Sequence, residues 1–128
     1  ETILSDNPIP RRLKQARNKI GISQKELGIK IGMDESSASG RMNHYEKGRH
    51  VPDVETLRKI AQELNVPLNY FLCEDDLSAE LACLISRLDD TSKKALITEL
   101  EKMEDLELEK IVEQRKDSHE IAIDIKDL

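Results

Sequence analysis

Glycine divides the amino-terminal half of this chain into short stretches. Gly21, Gly32 and Gly48 each follow a run of apolar residues at helical spacing, the position at which a glycine ends a helix. The first run, PIPRRLKQARNKI over residues 8–20, sets Ile9, Leu13, Ala16, Arg17 and Ile20 on one face, with prolines where a first turn tolerates them. The second opens on Ser23-Gln24-Lys25-Glu26, the pattern of a capping box, and predicts a helix over 24–31. A third helix is expected from Ser36 or Ser37 to Lys47. Beyond Pro52, Asp53 caps a fourth whose stripe is Val54, Leu57, Ile60, Ala61 and Leu64; Asn65 ends it, and Pro67 to Leu72 makes a fifth. Aromatic residues are only 2% of the chain, so its core must come from aliphatic side chains, a mixture typical of helical proteins, and an all-β sandwich is not expected.

After Glu74-Asp75-Asp76 the pattern lengthens. Leu77, Leu81, Leu84, Ile85 and Leu88 predict an amphipathic helix, and Asp90 or Thr91 is expected to cap another that carries Ala95, Leu96, Ile97, Leu100 and Met103. Periodicity continues to about Lys116 through Leu106, Leu108, Ile111 and Val112, with a slip at Glu104-Asp105 that predicts a kink or break. The final HEIAIDIKDL alternates Ile121, Ile123 and Ile125 with polar neighbours, which predicts a short strand in need of a partner. The expected fold class is all-α: a five-helix domain over 1–74, then a helical extension over 75–128 with a short terminal strand.

Charge separates the same two parts. Residues 1–72 carry 12 Lys+Arg against 9 Asp+Glu, net +3, and residues 73–128 carry 8 against 17, net −9. A polyanion-facing first part and an acidic second part with a different task follow from that division. Cys73 and Cys83 read as reduced, semi-buried thiols, and His44, His50 and His119 do not join them at metal-ligand spacing, so neither metal nor cofactor is expected. No nucleophile elbow, phosphate loop or metal set argues for an enzyme. No apolar run approaches the roughly 18 residues of a membrane span and the amino end carries no leader pattern, so a soluble, cytoplasmic protein without membrane contact is expected.

The run SQKELGIKIG, the later RMNHYEKG and then VPDVETLRKIAQELNVPLNYFL resemble the lambda-repressor-like (Xre) helix-turn-helix family over roughly residues 10–72. The resemblance implies a five-helix lambda-repressor-like domain that binds double-stranded DNA, its third helix in the major groove. Two departures stand out. Gly28 replaces the alanine usual in the middle of helix two, permitting close approach to helix three. Between Gly32 and Met42 there are about four residues more than the pattern holds, close to one helical turn of 3.6, and an extra turn at the front of helix three is expected.

At 100° per residue, Met42 and Tyr45 mark the inner side of helix three, with Ala38, Ser39 and Glu46 at the core or its rim. Ser37, Gly40, His44 and Lys47 lie opposite, flanked by Arg41 and Asn43. Candidate base contacts are Ser36, Ser37, Gly40, Arg41, Asn43 and His44: arginine fits guanine O6 and N7, asparagine fits adenine N6 and N7, and a glycine lets backbone come near. The resemblance implies phosphate contacts for Gln24, Lys47, Arg49 and His50. Arg11, Arg12 and Lys14 are further candidates, whereas Arg17 is read as an ion-pair partner of Glu46.

One such motif reads only a few base pairs, so a homodimer on an inverted repeat is expected, joined through the acidic extension. The function implied is a transcriptional repressor. The alternative is a protein-binding adaptor or antitoxin-type module on the same helices. An effector, whether small molecule or protein, leaves no signature in the sequence.

Overall fold

The computed structural model describes residues 7–127, with side chains through Ser118. Among them the order is α1 (Ile9–Ile20), α2 (Gln24–Lys30), α3 (Glu35–Glu46), α4 (Val54–Leu64), a 3₁₀ helix (Leu68–Leu72), α5 (Asp76–Ser86) and α6 (Asp90–Asp127). The chain falls into two compact units that part between Arg87 and Leu88.

Local chemistry sets the boundaries of the first unit. The capping box at α2 is complete: the Glu26 amide donates to Ser23 Oγ at 2.9 Å and the Ser23 amide donates to Glu26 Oε1 at 3.1 Å. Asp53 accepts from the Thr56 amide at 2.8 Å to start α4, and Asp75 accepts from the Ser78 amide at 2.9 Å to start α5. Gly21 (φ 85°) ends α1 in the left-handed region that a side chain disfavours, and Asn65 (φ 56°) ends α4 in the same way. Leu13, Leu27, Met42, Ile60 and Phe71 are wholly buried, one each from α1, α2, α3, α4 and the 3₁₀ helix, so a single core orients all five.

Arg12 is as buried as any leucine. Its Nε donates to the Cys73 carbonyl at 2.8 Å and its Nη1 donates to Asp76 Oδ1 at 2.8 Å and to Gln15 Oε1 at 3.0 Å. Its neighbour Arg11 donates to the Glu74 carbonyl at 2.6 Å. These two arginines, read from sequence as candidate phosphate ligands, instead fasten the 73–76 connection onto α1. Through that connection α5 joins the first unit, with Ala79 buried and Cys83 packed against the core.

The second unit departs from the sequence reading in three places. Asp89, not Asp90 or Thr91, caps α6, accepting from the Ser92 amide at 2.8 Å. The helix runs 38 residues through Glu104-Asp105 without the expected break, and its backbone stays helical to Asp127, where a strand was expected. Residues 90–127 contain neither glycine nor proline, and a lone strand would leave backbone donors and acceptors unmatched that a helix satisfies internally. Ile97, Leu100, Met103, Leu106, Leu108, Ile111 and Val112 are all exposed along it. Among the described residues, no helix is long and apolar enough to cross a membrane.

Candidate nucleic-acid interface

The geometry of α2 against α3 depends on one missing methyl group. A β-carbon built on Gly28 would stand 2.7 Å from Ala38 Cβ and 3.1 Å from Ala38 Cα, so only glycine lets the two helices meet at this distance. Between them lie only Ile31 to Asp34, and α3 starts at Glu35; the surplus residues noted in the sequence are taken up as helix, lengthening α3 at its front.

Its inner side is then fixed by packing. Ala38, Met42 and Glu46 are buried and Tyr45 is half-buried against the core. Glu46 sits at the centre of a polar network. Arg17 grips it bidentately, Nε to Oε2 at 2.6 Å and Nη2 to Oε1 at 3.0 Å, while Arg17 Nη1 donates to the Ile22 carbonyl at 2.9 Å. The hydrogen bond to Glu46 raises the Arg17 pKa against the opposing pull of burial, so the guanidinium stays charged. The expected ion pair is present, and it ties α1 to the end of α3.

Gln24, at the start of α2, joins the same network: its Nε2 donates to Glu46 Oε1 and to Asn43 Oδ1, each at 3.2 Å. Two residues assigned separately from sequence, Gln24 for phosphate and Asn43 for a base, are thus hydrogen-bonded to each other. The link leaves Asn43 a second lone pair and both amide hydrogens, which is what an adenine edge requires, whereas both Gln24 Nε2 hydrogens are taken, so a phosphate, which only accepts, would meet Gln24 through its backbone amide in the first turn of α2. No single stretch of sequence reveals this pairing, because its members stand 19 positions apart.

The outer side of α3 is open. Ser36, Gly40 and Arg41 are exposed and Ser37, Asn43 and His44 are half-buried. Nothing lies within 4 Å of a β-carbon built on Gly40. Ser39, which the helical wheel assigned to the core or its rim, is exposed and extends this surface. At the helix end the His44 and His50 rings stack with centroids 5.0 Å apart, and Lys47, Arg49 and His50 are exposed beside them. Three cation-capable groups beside a ridge of donors suit a sugar-phosphate chain running past a groove-bound helix. Cys73 and Cys83 are half-buried free thiols packed against the core.

The family model described as helix-turn-helix matches residues 13–71, the stretch that builds α1 through the 3₁₀ helix. The chain is 37% identical over 68 residues to the HTH-type transcriptional regulator ImmR of Bacillus subtilis (strain 168), a match covering 53% of this chain and 50% of that protein. It spans about half the length of the curated relatives it matches. Among solved structures, the transcriptional regulator BswR superposes with a TM-score of 0.67 at 46% identity, covering 73% of this chain and 93% of that one. The SinR protein/SinI protein complex contains a chain of the same fold, with a TM-score of 0.54 at 22% identity over 76% of this chain and 98% of that one. The capping box, the close α2–α3 contact and the residues matched agree, and the chain belongs to the lambda-repressor-like (Xre) helix-turn-helix family of transcriptional regulators.

Proposed function

We propose that this protein is a sequence-specific DNA-binding regulator that acts in the cytoplasm without catalysis. In this reading α3 lies in the major groove, with Ser36, Ser37, Gly40, Arg41, Asn43 and His44 toward the bases and Gln24, Lys47, Arg49 and His50 on phosphates. The observation that carries it is the two-sidedness of α3. Its inner side is locked by Ala38, Met42 and the Arg17–Glu46 pair, while Ser36, Gly40 and Arg41 on the other side are exposed. A helix whose backbone is held by packing on one side binds without the cost of ordering that backbone, leaving only the side-chain cost.

The protein works as a homodimeric repressor on an inverted repeat. The exposed leucines Leu77, Leu81 and Leu84 of α5 and the exposed apolar residues of α6 support self-association, and the net −9 charge of residues 73–128 keeps that part off the DNA. The descriptions of ImmR and BswR as transcriptional regulators support the regulatory part of this reading.

Selection of bound sequences from a random duplex pool tests it. An enriched inverted repeat is the expected result, and a pool with no enrichment returns the case to the adaptor alternative. On the selected operator, Arg41→Ala is expected to relax preference at one base pair by about 1–3 kcal/mol. Equal weakening on all sequences would make Arg41 a phosphate contact instead.

A further inference from the structure

The apolar residues of α6 form a stripe with charges set inside it. Taking Leu96 as origin at 100° per residue, Ile97, Leu100, Met103, Leu108 and Ile111 fall between about −20° and 120°. Glu104 and Glu107 lie within that arc, as does Arg115 further along, and Lys110 lies at its edge. All of these from Ile97 to Arg115 are exposed. Seven large apolar side chains open to water on one helix call for a covering surface, since such a helix gains little of its stability from propensity alone.

Charge along α6 comes in blocks. Residues 99–109 hold six carboxylates, Glu99, Glu101, Glu104, Asp105, Glu107 and Glu109, against Lys102. Residues 110–116 hold Lys110, Arg115 and Lys116 against Glu113. The blocks meet between Glu109 and Lys110, within about one residue of the midpoint of the 90–127 helix. That coincidence decides between two ways of pairing the helix with itself. Two copies side by side in parallel register would set Glu104 and Glu107 against their own counterparts inside the apolar stripe, a like-charge arrangement that opposes association. Two copies laid head to tail about the block boundary exchange the blocks: Glu104 meets Arg115, and Leu108 meets Ile111, across the twofold axis.

We propose that α6 is the surface by which a second copy of this chain is bound, and that the two helices pair antiparallel about an axis passing close to Glu109 and Lys110. This rests on the dimeric reading given above, and the test separates the two.

The full chain is made with Cys73→Ser and Cys83→Ser, and single cysteines are introduced as Glu104→Cys or Arg115→Cys. Sedimentation of the Ser-substituted chain, without either added cysteine, reports the dimer, and mild oxidation reports the pairing. The expected result is a dimer in which equal mixing of the two cysteine variants with subunit exchange shifts about half of the sample, the statistical share of mixed pairs, to twice the 14.6 kDa chain mass, while each alone stays at background. In the antiparallel pair, Glu104 and its counterpart lie about 16 Å apart along the axis, beyond disulfide reach. Self-linking of each variant alone would make the pair parallel and overturn the orientation. A dimer that links in no combination would move the interface off α6. A monomer at tens of micromolar would overturn the dimeric reading as well.

Discussion

At Gly28 an added β-carbon would come within 2.7 Å of Ala38 Cβ, a separation that real contacts do not reach. Gly28→Ala therefore sets two effects against each other: a gain in helix propensity of roughly 1 kcal/mol and an overpacking penalty of about 1–3 kcal/mol. Ala38 is wholly buried and has no room to retreat, so the substitution is expected to destabilise. Chemical denaturation checks it, and adding Ala38→Gly should recover part of the loss. Gly40 gives the opposite result. Its surroundings are empty, so Gly40→Ala should stabilise the free protein by roughly 0.5–1 kcal/mol. The same methyl on the side proposed to face the groove should weaken operator binding, and the pair of measurements distinguishes a residue kept for contact from one kept for folding. Both glycines were legible in the sequence as to place, and Gly28 also as to purpose. Arg12 was not: the partners that bury it, Cys73 and Asp76, follow 61 and 64 positions later, and nothing near it in the chain distinguishes it from a surface arginine.

The helices begin on side-chain acceptors, and those acceptors titrate. Asp53 and Asp89 accept from the amides of Thr56 and Ser92, Glu26 from that of Ser23, and Asp75 from the side chain and the amide of Ser78; these hydrogen bonds hold all four carboxyls below their ordinary values. A lowered folded-state pKa contributes stability that is present above the unfolded value and is lost as pH falls through the folded one. The loss accordingly begins near the ordinary carboxylate values of about 4 and deepens below them. Urea midpoints measured down from about pH 5 to about pH 3 should fall, and Asp53→Asn with Asp75→Asn, which keep a cap but no titrating group, should fall less steeply. Sequence reading located the caps at Ser23–Glu26 and Asp53 because a cap is a local event within four residues, with Asp89 missed by a single position and Asp75 not assigned. It failed at Ile121, Ile123 and Ile125 for the complementary reason. Alternation specifies a strand only where a second strand receives it, and none exists among the described residues, so the backbone closed its hydrogen bonds within α6.

At the scale of the molecule, the feature with the longest reach is the uninterrupted course of α6 over 38 residues. Its rise of 1.5 Å per residue makes it about 57 Å long, against about 34 Å for one turn of duplex. If two such helices run in opposite directions, their first residues stand at far ends of a rod, and each first residue is tethered to a DNA-reading unit. On the pairing proposed above, helix length is then expected to gauge the gap between operator half-sites. Inserting seven residues at the block boundary keeps the apolar stripe in phase and moves the ends apart by about 10 Å. Such a variant should bind the original operator more weakly and select a longer spacer from a pool of varied half-site gaps, whereas a spacer preference that ignores the insertion would show that the gauge is set elsewhere.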